Sequence, residues 1–199
     1  MAGDEGAFRL VVGLGNPGRR YEGTRHNAGF WLVDELLHRL GGELREQGRF
    51  HGAVARLAVD GYDCRLLEPS TYMNHSGRSV AALASFFKIP AAQILVAHDE
   101  IDLPPGGVRL KRGGGHGGHN GLRDIQSALG TAEFARLRLG VGHPGHRDEV
   151  IPYVLTRPSP AERQRIDAAV AEAAGCLPQL LAGQWDRACQ RLHTGVKGG

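Results

Sequence analysis

The sequence predicts an α/β fold, a single domain in which a mixed twisted β-sheet is flanked by helices. Three observations predict it. Short apolar runs such as Leu10-Val11-Val12 alternate along the chain with stretches whose apolar residues recur at helical spacing. Two alternating runs, 53–59 and 62–67, face each other across Asp60-Gly61, a pair suited to a type I′ turn, so at least one strand pair is antiparallel. The 199 residues contain no linker, internal repeat or low-complexity tract, and that length fits one domain.

Residues 1–7 read as a frayed leader. The first strand empties into a polar loop holding Asn16, Tyr21, Arg25, His26 and Asn27. A helical pattern begins only near Ala28, carries Val33, Leu36, Leu37 and Leu40, and stops at Gly41-Gly42. After the hairpin, residues 69–74 form a second polar loop. A helix then starts at Ser76, turns Val80, Leu83, Ala84 and Phe87 inward and ends before Pro90. Residues 94–97 make a buried strand with His98-Asp99-Glu100 at its carboxyl end. Another strand, 108–111, leads into the loop GGGHGGHNG, whose Asn120 is placed to cap the helix of Leu122, Ile125 and Leu129. Residues 135–142 alternate, which sets Arg136 and Arg138 on one face and Leu137, Leu139 and Val141 on the other. Ser159-Pro160-Ala161-Glu162 has the form of a capping box, opening a helix to about Gly175. A last helix, with Leu180, Leu181, Trp185, Ala188 and Leu192, completes a C-terminal helical segment over 159–193.

Composition narrows the function classes. Hydrophobic residues at 41% and charged residues at 23% are ordinary for a globular protein, and no apolar run approaches the ~20 residues of a membrane span. The first residues lack a basic region followed by an apolar one, so no export signal is expected. Cys64, Cys176 and Cys189 are odd in number and far apart, which favours a reducing compartment, and cytoplasmic localisation is the expectation. Net charge is only +3, but between 103 and 130 four cations, Arg109, Lys111, Arg112 and Arg123, face the single acid Asp124. Such a patch beside glycine loops suits a phosphate.

The residues point to hydrolysis by activated water. His26 lies in a polar loop after a strand, and Asp99 lies at the end of another. A carboxylate accepting from one ring nitrogen leaves the second nitrogen free to take a proton near neutral pH. No G-x-S-x-G elbow is present and no cysteine lies near these loops, so a protein nucleophile has no support. Asn16, Asn74 and Asn120 offer neutral N–H donors to developing negative charge. Lys111 and Arg138 are strand cations suited to clamp a phosphate. The pairs His116/His119 and His143/His146 share H-x-x-H spacing but lack a regular helix and a third ligand, so no metal is expected. Gly13 to Gly18 matches G-x-G-x-x-G, the basis of a nicotinamide-dependent oxidoreductase reading. Against it, the next helix opens some ten residues too late.

The segments VVGLGNPGRRYEGTRHNAGF, PSTYMNHSG, HDEIDLPPG, GGGHGGHNGLRDI and RLRLGVGHPG resemble, in order, the motifs of bacterial peptidyl-tRNA hydrolase, and cover about 11–155. The resemblance implies cleavage of the ester between a peptide and the 3′ ribose of tRNA, without metal or organic cofactor. It implies His26 as general base, Asp99 as its orienting carboxylate, and Asn16 against the scissile region. Tyr21, Tyr72, Met73, Asn74 and Asn120 would line the cleft for the peptide and terminal nucleotide. Lys111 and Arg138 would hold the 5′-phosphate end of the acceptor stem. Its partner is peptidyl-tRNA alone, with no membrane and no obligate protein, and a monomer suffices. His75 departs from the usual apolar or long side chain, and Tyr72 stands where phenylalanine is frequent. A second alternative is an RNA-binding relative that has lost hydrolysis; the retained His26, Asp99 and three asparagines argue against it.

Overall fold

The computed structural model describes residues 7–194. Of the expected leader, residues 1–6 lie outside the described residues, and Ala7 is buried rather than frayed. The strands are β1 (Leu10–Gly13), β2 (Arg45–Gln47), β3 (Gly52–Val59), β4 (Tyr62–Pro69), β5 (Ile94–Glu100), β6 (Val108–Arg112) and β7 (Ala135–Gly140). They form one sheet in the order β2-β3-β4-β1-β5-β7-β6. β4, β1, β5 and β7 run parallel at its centre, and β3 with β2 and β6 close the two sides in antiparallel pairing.

Alternation along the central strands explains the layers. Leu10, Val12, Leu67, Ile94 and Val96 pack under α2 (Ser76–Phe87) and α3 (Asn120–Leu129), which contribute Val80, Leu83, Leu122 and Ile125. Val11, Leu66, Leu95 and Leu137 face the other way. They meet α1 (Ala28–Leu40), α5 (Pro160–Gly175), α6 (Leu177–Leu181) and α7 (Trp185–Thr194) through Val33, Leu36, Ile166, Leu181 and Leu192. A parallel sheet covered on both faces leaves its carboxyl edge as the open place for a site. The loops after β1, β4 and β7 and the end of β5 all emerge there.

The hairpin expectation holds: Asp60 and Gly61 both have positive φ, 50° and 83°, and Val59 pairs with Tyr62. The capping box at Ser159 also forms, with Glu162 N donating to Ser159 Oγ at 3.2 Å. Three features differ. The final helix is two helices, because Gly183 enters the left-handed region at φ 73° and ends α6; the apolar phase continues across the break since both helices cover one core. β2 and α4 (Val150–Val154) have no sequence signature: the first is three polar residues held by backbone pairing, the second is too short to show a period. Arg136 is not on a solvated face; it is 2% exposed, and its guanidinium donates to the carbonyls of Gly113 and, at 2.8 Å, Gly114.

Gly13, which opens the Gly13–Gly18 string, is there for packing. A Cβ on Gly13 would strike the carbonyl oxygen of Gly29, and one on Gly29 would strike Leu14 N and Ala97 O. The first turn of α1 thus lies directly on β1 and β5, three residues from His26. Gly29→Ala should cost about 1–3 kcal/mol of stability, the usual cost of overpacking, read as a lower urea midpoint. An unchanged midpoint would contradict this close approach.

Candidate active site

The loop after β1 is closed by one side chain. Asn27 Oδ1 accepts from Asn16 N at 2.9 Å, and Asn27 Nδ2 donates to Asn16 O at 3.0 Å. Between these ends, Arg25 is buried as a tether. Its Nη1 donates to Tyr153 O at 3.0 Å and Thr156 Oγ1 at 2.7 Å, its guanidinium stacks 3.8 Å from the Tyr153 ring centroid, and Nη2 lies 3.5 Å from Glu162. The short turn at Arg25–Asn27 is therefore fixed on both sides of His26.

His26 Nδ1 lies 2.9 Å from both oxygens of Asp99, seventy-three positions away. Asp99 Oδ1 is also 2.8 Å from His119 Nε2. The protons in this chain can be assigned. His119 Nδ1 accepts from the amides of Gly121 at 3.1 Å and Leu122 at 3.3 Å, so its proton is on Nε2 and is donated to Asp99. An ionised carboxylate only accepts, so His26 donates from Nδ1 and keeps a bare Nε2. Burial opposes the charge on Asp99, yet the two facing imidazoles outweigh it and hold the carboxyl well below its usual range. For His26, burial pulls the ring down and the charge and hydrogen bond of Asp99 outweigh it, leaving its pKa raised above 6.5. His98, fully buried beside His119, is pushed down to about 4 by burial and by that neighbour, and its Nδ1 donates to the Asp99 carbonyl at 2.8 Å. It stays uncharged.

Asn16 Oδ1 accepts from Met73 N at 2.7 Å, which turns its NH2 group toward the remaining space. That space is a cleft of about 830 Å³. Asn16, His26, Met73, Asn74, Asp99 and Asn120 all line it, as expected from the sequence. Ile101, Val150, Ile151, Val154 and Leu155 add an apolar lining, and Ile151 is 64% exposed. No serine, threonine or cysteine is among the lining residues.

Four expected residues lie outside that lining. Tyr21 and Tyr72 pack edge-to-face on each other at 6.4 Å, with Tyr72 exposed. Lys111 and Arg138 sit on β6 and β7, where Arg138 Nε donates to Glu100 Oε1 at 2.7 Å; Glu100 itself lines the cleft.

Asn120 is not the cap of α3. The cap is His119, and Asn120 is the first helical residue, its Oδ1 accepting from Arg123 Nη1 at 3.2 Å. His119 is a site member that the spacing of the H-x-x-H pairs does not single out; its only sequence signal is a histidine directly preceding a helix. Those pairs are turn formers: His116 Nδ1 accepts from Gly118 N and His143 Nδ1 from Gly145 N.

His26, Asp99 and His119 place one ligand-type atom each within 4.8 Å of one another. They do not suit a metal ion. With His119 Nδ1 facing two backbone donors, its Nε2 must keep its proton and has no lone pair to give.

A family model described as peptidyl-tRNA hydrolase matches residues 10–198. The chain is 72% identical over 194 residues to a peptidyl-tRNA hydrolase of Halorhodospira halophila, covering 98% of this chain and 100% of that one. It is 64% identical over 188 residues to one of Alkalilimnicola ehrlichii, covering 94% and 95%. The crystal structure of peptidyl-tRNA hydrolase from Acinetobacter baumannii superposes with a TM-score of 0.91 at 46% identity over 94% of each chain. The same sheet, and sequence identity along almost its whole length, lead to one assignment: this chain belongs to the peptidyl-tRNA hydrolase family.

Proposed function

We propose that the bare Nε2 of His26 takes a proton from water as that water attacks the ester carbon joining peptide to tRNA. The observation that carries this reading is the fixed proton order from the α3 amides through His119 and Asp99 to His26. As the water oxygen bonds to carbon, the carbonyl oxygen gains negative charge, which the NH2 groups of Asn16, Asn74 and Asn120 are suited to meet. Collapse of the tetrahedral species breaks the bond to the ribose 3′ oxygen, which recovers the proton from His26. The products are a peptide acid and tRNA with a free 3′ hydroxyl. The absence of a hydroxyl or thiol from the cleft lining supports direct attack by water over an acyl-enzyme.

Met73 and the apolar lining suit the peptide and terminal nucleotide. Tyr21 and Tyr72 offer a stacking surface to substrate beyond the cleft. Lys111 and Arg138 hold the 5′-phosphate of the acceptor stem. Every group in the proton path comes from one chain, which supports a monomer, and a ribosomal product as substrate supports a cytoplasmic location. Among the described residues no helix is long and apolar enough to cross a membrane. A relative that binds RNA without cleaving it is disfavoured, since it would not need His26 oriented by an ionised Asp99.

The base works only when neutral. With its pKa raised, kcat/KM on a peptidyl-tRNA analogue should climb with pH through a midpoint above 6.5 and then level. Asp99→Asn removes the raising partner, so the acid limb should move to lower pH while the plateau falls on the order of 10²–10⁴-fold. A limb that stays in place would assign the base elsewhere. Lys111→Ala should weaken substrate binding and reduce the slope of log affinity against log salt by about one unit; an unchanged slope would remove Lys111 from the phosphate contact.

A further inference from the structure

β6 and β7 pair so that Arg109 lies opposite Arg138 and Lys111 opposite Arg136, placing all four cations on one face of the ribbon. Like charges directly opposite repel. Two of the four have acceptors on the backbone: Arg136 uses the carbonyls of Gly113 and Gly114, and Arg109 Nη1 donates to Val108 O at 2.8 Å. Arg138 differs. Its partner is a carboxylate from a neighbouring strand, Glu100, the residue after Asp99 and itself in the cleft lining.

The contact is one-sided. Glu100 Oε1 accepts a hydrogen bond from Arg138 Nε at 2.7 Å, and its Oε2 accepts from Asp102 N at 3.4 Å. Among the described residues, the two terminal nitrogens of Arg138 have no polar partner, and the pair is only partly exposed, 24% and 17%. A guanidinium fixed through Nε presents its Nη1–Nη2 edge, the geometry that grips a phosphate with two parallel bonds.

We propose that Glu100 is a positioning residue for RNA recognition: it holds Arg138 by Nε against the repulsion of Arg109 and its neighbours, and so presents the terminal edge to the 5′-phosphate. This rests on the reading of Lys111 and Arg138 as the phosphate clamp. Glu100 acts through Arg138 and takes no part in the proton path, although it adjoins Asp99.

The test compares peptidyl-tRNA analogues with and without the 5′-phosphate, using the wild-type chain, Glu100→Ala and Glu100→Gln. Glu100→Ala should raise KM for the phosphorylated substrate roughly three- to tenfold, the worth of one hydrogen bond. Its ratio to wild type should shrink toward one on the dephosphorylated substrate. Glu100→Gln keeps an acceptor for Nε and should recover most of the loss. An equal loss on both substrates, or a loss confined to kcat, would place Glu100 with the reaction centre and overturn the proposal. So would a wild-type preference for the phosphate that Glu100→Ala retains in full. If the wild-type chain ignores the phosphate, the clamp reading itself falls.

Discussion

The carboxylate of Asp99 is held between two imidazoles, and both bonds have a fixed direction. His119 must donate because its other nitrogen is committed to the first amides of α3. His26 must donate because Asp99, buried and ionised, can only accept. A histidine in solution divides its proton between two nitrogens, whereas here the choice is made by backbone geometry two residues beyond His119. The useful consequence is a lone pair on His26 Nε2 facing a cleft lined by amide donors.

That arrangement relies on the sheet for its precision. Asp99 is the penultimate residue of the parallel strand β5, and Gly13 and Gly29 let α1 lie close enough to bring His26 toward it. The loop that carries His26 is closed by the Asn16–Asn27 clasp and pulled toward α4 and α5 by Arg25. Asn27 and Arg25 look like site residues in the sequence, but the hydrogen bonds they make go to the protein itself. What remains for substrate is His26 Nε2 and the amide ends of the asparagines.

Much of this was legible in the chain. The alternating runs, the Asp60-Gly61 turn and the capping box at Ser159 act over a few residues, so their form follows from local chemistry. His26, Asp99 and Asn16 were legible because polar groups cluster where strands end. The role of His119 was not, since it depends on the helix starting one residue earlier than an Asn120 cap implies; asparagine is the commoner cap, and the contact of His119 with Asp99 is a tertiary one that spacing does not show. The burial of Arg136 was equally hidden: its alternation matches Arg138, but a glycine loop folds over one and leaves the other to Glu100. Tyr21 and Tyr72 pack edge-to-face on each other rather than lining the cleft, a pairing between two loops that spacing does not reveal.

The most direct measurement is the proton position itself, by long-range ¹H–¹⁵N correlation on histidine-labelled protein at a pH where His26 is neutral. His26 should be protonated on Nδ1 and His119 on Nε2; in Asp99→Ala the His26 assignment should give way to an ordinary mixture of the two forms, while His119, still held by the amides of Gly121 and Leu122, keeps its proton on Nε2. A His26 ring that carries its proton on Nε2 in the intact protein would contradict it, because the nitrogen facing the substrate would then have nothing with which to accept.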